Sequence, residues 1–249
     1  MKRMSIVGLC LAAVFAFSAG TASSASAAEL LAKPAGGGSI AGTTFLSSVT
    51  LPLLTTSGSL IHCKHATNHG LFLSPTLGNI LIRFLGCTTL HPIFLTRLNC
   101  NTPSAGTGEI HLSLETLFHL GLAHLTPTVG KIPAAVILLG KAIKIECEGI
   151  NIEVRGNVIG ALQRNGAAVP LNTAIKDVNL NFQETTPTSH GSQHLRLFLM
   201  PGTTGLTTYD LEANPAGTGF VLAAEVANAL LDGFKLPNGT EDAIEFDEA

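Results

Sequence analysis

The 249-residue chain has no tryptophan and a single tyrosine, Tyr209. Carbohydrate platforms rest on exposed Trp or Tyr rings, whose flat faces meet the apolar face of a sugar, so sugar binding has little support. Membrane-spanning β-barrels carry aromatic girdles at both interfaces. The phenylalanines here are scattered without a belt pattern, which argues against that architecture. Charge is sparse, with Asp, Glu, Lys and Arg together at 12% of residues and no run of Lys and Arg. Phosphate binding needs a basic face, so no nucleic-acid partner is expected. Catalytic signatures are also missing: there is no G-x-S-x-G elbow, H-E-x-x-H helix, P-loop or G-x-G-x-x-G fingerprint. Glu146, Glu148 and Glu153 flank Cys147, but the first two alternate with it and read as the solvated face of a strand. These absences point to a protein that is not an enzyme and takes no cofactor.

What is present begins with an export signal. Lys2 and Arg3 precede an apolar run from about Ile6 to Phe17, too short to span a bilayer comfortably, and small residues follow. Cleavage after residue 28 would remove residues 1–28, and after residue 27 one residue fewer; either takes Cys10 and leaves no transmembrane segment. Losing Lys2 and Arg3 leaves 12 basic against 17 acidic side chains, a balance of −5. Residues 29–42 contain "LLAKPAGGGSIAG", whose glycines and proline read as a flexible leader. Residues 43–236 are expected to form one domain, and the acidic "EDAIEFDEA" places a solvated tail in residues 237–249.

The remaining chain alternates. "GEIHLSLE", "INIEVRGNV" and "VNLNFQ" put Ile110, Leu112 and Leu114, then Ile150, Ile152, Val154 and Val158, then Val178, Leu180 and Phe182 on one face each. "HLRLFLM" is read as burying Leu195, Leu197 and Leu199. "GNILIRFLGC" and "KIPAAVILLGKAIKIEC" are more continuously apolar, as in strands covered on both faces. Gly140-Lys141, Glu148-Gly149, Asn165-Gly166 and His190-Gly191 read as hairpin punctuation. Residues 220–234 fit a helix or a strand, the latter alternating through Phe220, Leu222, Ala224, Val226 and Asn228. The expected fold is all-β, a two-sheet antiparallel sandwich (jelly-roll-like) or a closed barrel of about ten strands.

The order "GSLIHC", "IRFLGCTT", "LNCNTPSAGTGEIHLSLETLFHLG", "IKIECEG", "VRGNVIGAL" and "PLNT" resembles an uncharacterised family of secreted, four-cysteine proteins of actinobacteria. The resemblance covers about Ser57 to Leu199 and rests on Cys63, Cys87, Cys100, Cys147, Gly108, Gly156 and Gly160. It implies an extracellular all-β domain and carries no function.

Four mature cysteines in an exported chain imply two disulfides, and no C-x2-C pair suggests zinc. Cys87 and Cys100 bracket a twelve-residue loop, while Cys63 and Cys147 each end an apolar strand. Of three possible connectivities this favours Cys87–Cys100 with Cys63–Cys147. The candidate metal ligands are His62, His65 and His69 in "SLIHCKHATNHG", which otherwise reads as a polar loop after Cys63 with a turn at Asn68-His69-Gly70. In "GEIHLSLETLFHLGLAHL" a hairpin around Leu117 would set Glu115 opposite His119 and His111 opposite Ala123. His91, His190 and His194 read as surface residues. The sequence therefore supports a secreted, non-catalytic binding or structural protein with an unknown extracellular ligand or protein partner. A transition-metal-binding protein using His62, His65 and His69 is the alternative.

Overall fold

Period-two alternation governs the structure, a computed structural model that describes residues 29–56, 60–91, 93–113, 116–126, 129–182 and 193–248. Residues 1–28, the expected export signal with Cys10, and Leu114, Glu115, His190 and Gly191 lie outside the described residues. Among those residues every regular element is a strand, and the nineteen pieces exceed the ten or so expected.

The excess has a simple origin, because most pieces are fragments of eight long antiparallel strands. After β1 (Leu30–Pro34), β2 (Thr44–Thr50) and β3 (Leu53–Thr56) form the first. β4 (Leu60–His62) and β5 (His65–Phe72) form the second, and β6 (Leu77–Leu85) and β7 (Thr88–Leu90) the third. β8 (Arg97–Asn101), β9 (Glu109–Leu112) and β10 (Leu117–Thr126) follow one another in the fourth. β11 (Val129–Cys147) and β12 (Ile150–Arg164) are the unbroken fifth and sixth, and the short β13 (Ala167–Ala168) folds back on β12. β14 (Val178–Phe182) starts the seventh. An excursion holding β15 (Leu197–Leu199) and β16 (Thr207–Thr208) interrupts it before β17 (Leu211–Pro215) resumes. β18 (Val221–Lys235) is the eighth, and β19 (Ile244–Glu248) ends the chain.

Each long strand pairs with the next, and the last returns to the first. One tier runs β2, β5, β6, β10, β11, β12, β14 and β18, with β18 pairing β2. The other runs β3, β4, β7, β8, β11, β12, β17 and β18, with β18 pairing β3. β11, β12 and β18 belong to both tiers. The breaks are local kinks: Leu51 (φ 53°) separates β2 from β3, and Gly86 (φ 65°) separates β6 from β7. Gly156 (φ 97°) must be glycine, because a Cβ there would lie 2.1 Å from the Asp210 carbonyl oxygen.

Several expectations are corrected. Residues 221–234 fall in a strand, and the expected alternation is inverted: Ala223, Ala227 and Ala229 join the core, while Leu222 and Asn228 are exposed. Small alanines line the inside and larger apolar residues the outside, so side-chain size misled the reading of the faces. Gly140-Lys141 is no turn; it lies in an irregularity between Leu139 and Ile143 within β11. β9 and β10 make no hairpin with each other. Ile82 pairs with Leu112 and Asn79 with Leu117, so both run antiparallel to β6 in one direction and the chain merely gains two residues between them. His111 accordingly meets Glu109, at 3.0 Å, rather than facing Ala123.

The leader and the acidic tail are corrected together. β1 pairs with β19 in a two-stranded ribbon. Leu30, Ala32, Ile244 and Phe246 are buried, and Lys33 on the other face reaches Glu245 at 3.2 Å and Asp247 at 2.6 Å. The tail obeys the same alternation as every other strand, and its acidic half faces a lysine. This ribbon covers one end of the ring, where Phe45, Phe72, Phe118 and Phe234 pack with centroids 5.2–6.0 Å apart. Gly70 lies beneath the Phe45 ring, whose Cζ is 1.9 Å from where a Cβ on Gly70 would sit.

A smaller core lies on the outer wall. Ala123, Ala134, Val136, Ile159 and Ala161 are covered by Leu195 and Phe198 of the excursion. The middle of β11 is thus buried on both faces, as its continuous apolar run predicts. In "HLRLFLM" Leu195 is buried as expected, but the next buried residue is Phe198, with Leu197 and Leu199 half-buried. Buried Gln193 bridges the gap between β14 and β17. Its Oε1 accepts from Ile159 N–H, and its Nε2 donates to the Asn157 and Tyr209 carbonyls. Among the described residues no helix is long and apolar enough to cross a membrane.

Candidate functional site

Inward residues of both tiers surround a cavity of about 100 Å³. Its wall is aliphatic: Val49, Leu54, Ile61, Ile80, Ile82, Ile137, Ile145, Val154, Val158 and Leu211 face it from six of the eight long strands. Room remains because β18 contributes Ala227 and Ala229 to the interior where its neighbours contribute Leu54, Leu180 and Leu211. An open recess of about 200 Å³ lies beside the β11 irregularity, but Lys141, Lys144, His111 and Ser113 on its rim make it a groove rather than an enclosure.

Three polar side chains interrupt the apolar lining of the cavity. Ser47 and Asn68 are cross-strand partners on β2 and β5, and Asn68 Nδ2 donates to Ser47 Oγ at 3.1 Å. Asn68 is 6% exposed, and its Oδ1 is buried without a hydrogen-bond partner. The third is Glu225 on β18, in register with Leu54 of β3. It has no hydrogen bond or ion pair among the described residues, and burial pushes its carboxyl up to about 7. The accessible surface it retains is what a side chain fronting open space keeps. Leu231 pairs with Ser47, so Glu225 stands six residues, or ~20 Å at ~3.3 Å each, from the Ser47–Asn68 station.

Sequence reading identified none of these three as site residues. The available signal was Glu225 itself, a carboxylate among alanines at alternating positions. It is masked because the larger apolar residues, Leu222 and Val226, stand on the opposite face and draw the eye there whether the segment is read as helix or strand.

All four described cysteines are bonded, but the pairing is Cys63–Cys87 and Cys100–Cys147, which corrects Cys87–Cys100 with Cys63–Cys147. The registers of β4 with β7, β7 with β8 and β8 with β11 place Cys63, Cys87, Cys100 and Cys147 in one row across four neighbouring strands. Cys87 and Cys100 are therefore also neighbours, yet Cys100 N–H donates to the Cys87 carbonyl at 2.9 Å. Hydrogen-bonded antiparallel pairs hold their Cα atoms about 5.5 Å apart and non-hydrogen-bonded pairs about 4.5 Å. The bonded pairs are the closer kind, with Cα atoms 3.9 and 4.1 Å apart. The supposed twelve-residue loop is the β7–β8 hairpin, whose tip is held by His91 Nδ1 accepting from Ile93 and Phe94 N–H.

The histidine cluster is also a strand rather than a loop with a turn. His65 and His69 both point outward from β5 and are exposed, ~13 Å apart along the strand. His62 is exposed on β4. Among the described residues no three His, Cys, Asp or Glu side chains come together as a metal site. His119 is half-buried, and burial lowers its pKa. Glu148 accepts from Asn99 N–H at 3.0 Å and Asn99 Nδ2 at 2.8 Å, which holds its carboxyl below the usual range.

Comparison of the chain with known protein families, with curated proteins and with solved structures returns no match.

Proposed function

We propose that the protein is an exported, non-catalytic binding protein, a closed barrel that takes a small apolar molecule into its interior. The observation that carries this reading is the aliphatic cavity of about 100 Å³ inside the ring of strands. Pairing of β6 with β10 and of β18 with β2 supports a barrel over a sandwich, because a sandwich keeps free edges at both seams. Polarity supports a water-facing wall: Lys144, Glu146, Arg155 and Asp232 are exposed, whereas membrane barrels place their apolar band outside. Two disulfides fit an oxidising compartment outside the cytoplasm. An engineered cavity of about 150 Å³ stays dry and takes benzene, so the occupant here has about four or five non-hydrogen atoms.

The test is an NMR titration with butan-1-ol. Saturable shifts at residues around the cavity are expected, and Ala229→Leu, which fills the space, removes them while preserving the spectrum elsewhere. Equal binding to the filled variant would place the alcohol outside the barrel and end this reading.

A further inference from the structure

Resting on the reading of the interior as a ligand site, we infer that Glu225 is its recognition group and that the ligand class is a small aliphatic amine, bound as the ammonium ion. The geometry carries the inference. Glu225 is the one ionisable side chain among the described residues that line the cavity, the cysteine there being disulfide-bonded. The cavity lining on the elements around it is apolar: Leu54, in register with it on β3, Ile61 on β4, Leu211 on β17, and Val154 and Val158 on β12. A carboxylate enclosed by aliphatic groups is costly unless a cation or donors meet it. No side chain of the described residues supplies one. A short alkylammonium supplies both, placing three N–H donors on the carboxylate and its chain against the aliphatic wall.

The Ser47–Asn68 station does not compete for such a molecule. It lies ~20 Å away along β18, beyond the reach of an occupant of four or five atoms. Its free Oδ1 is a neutral acceptor, which would not distinguish an ammonium from an alcohol on charge.

Binding follows the ionisation of Glu225. An alkylammonium keeps its charge to about pH 10, as lysine does, so between pH 5.5 and 8 only the carboxyl changes. With Glu225 pushed up to about 7, the ionised fraction falls more than tenfold from pH 8 to pH 5.5.

Butylamine and its uncharged isostere butan-1-ol separate the possibilities when titrated by NMR into the intact, oxidised protein and into Glu225→Gln. Butylammonium is expected to bind the wild type at pH 8 at least tenfold more tightly than the alcohol. That advantage should vanish in Glu225→Gln and at pH 5.5. If the alcohol binds and butylammonium gains nothing at pH 8, or keeps its gain in the variant, Glu225 is not the recognition group although the cavity stands. If neither probe enters, the interior is not a ligand site and both readings fall. The wild-type pH comparison decides the matter by itself should the variant not fold.

Discussion

Around Phe45 four phenylalanine rings fill the ring of strands to a residual void of about 20 Å³, whereas nearer Glu225 the same strands leave about 100 Å³ open. The two regions share Ile80, Ile137, Leu180 and Leu231, so one wall serves both. They differ in what holds them. The filled end is closed by aromatic packing and by the β1–β19 ribbon, both of which exclude water. The open region is bordered by the cysteine row, which ties neighbouring strands together without filling the space between them. Covalent ties and interior packing are alternative ways to hold a ring of strands, and only the first leaves room inside.

The largest effect should come from cutting those ties. On the chain-entropy model the 47-residue separation of Cys100–Cys147 makes that bond worth about 4 kcal/mol, and the 24-residue separation of Cys63–Cys87 about 3.5 kcal/mol. Replacing Cys100 and Cys147 together by alanine should lower the unfolding free energy in guanidinium chloride by about that amount. A loss below ~1 kcal/mol would mean that packing, not the cross-link, holds the open region.

Adding volume to each region comes next. Gly70→Ala drives a methyl group into the Phe45 ring and should cost about 1–3 kcal/mol, the usual penalty for overpacking. Ala229→Leu adds more atoms but adds them to the cavity, so its cost should stay within ~1 kcal/mol. Equal penalties in thermal or chemical unfolding would erase the contrast between a full end and an empty one.

How much of this was legible follows from the same contrast. Where inward positions hold large aliphatic residues, as in "INIEVRGNV" and "VNLNFQ", the alternation named both the strand and its buried face. Where they hold Ala66, Asn68 and Gly70, the β5 strand read as a polar loop, because nothing apolar marked its inner side. β18 failed in the same way, with alanines inside and Leu222 outside. The tail "IEFDE" alternates cleanly, but its acidity drew the reading toward a solvated end. The disulfides were legible as a count and not as a pairing, since pairing depends on which cross-strand neighbours are hydrogen-bonded. The cavity is defined by small and polar residues at inward positions, so the features that hid those strands are the ones that make the candidate site.

The smallest effect on stability, and the finest probe of the open region, is the pH dependence that Glu225 imposes. Its carboxyl titrates at about 7 in the folded chain against an ordinary value of 4.5. Between those values the folded state binds more protons than the unfolded state, so stability falls as pH rises. Below about 4.5 the carboxyl is protonated in both states, and above about 7 it is ionised in both, so the dependence is confined to that window. The full shift would correspond to ~3 kcal/mol; with water reaching the cavity, ~1 kcal/mol is expected. Glu225→Gln keeps the shape and removes the proton, and every other carboxylate is common to both proteins. The variant should therefore match the wild type at pH 4 and exceed it by ~1 kcal/mol at pH 8 in paired denaturant titrations. A difference that stays flat across the window would mean that Glu225 ionises as freely as it does in water, and the region around it would then be a solvent-filled mouth rather than an enclosed cavity.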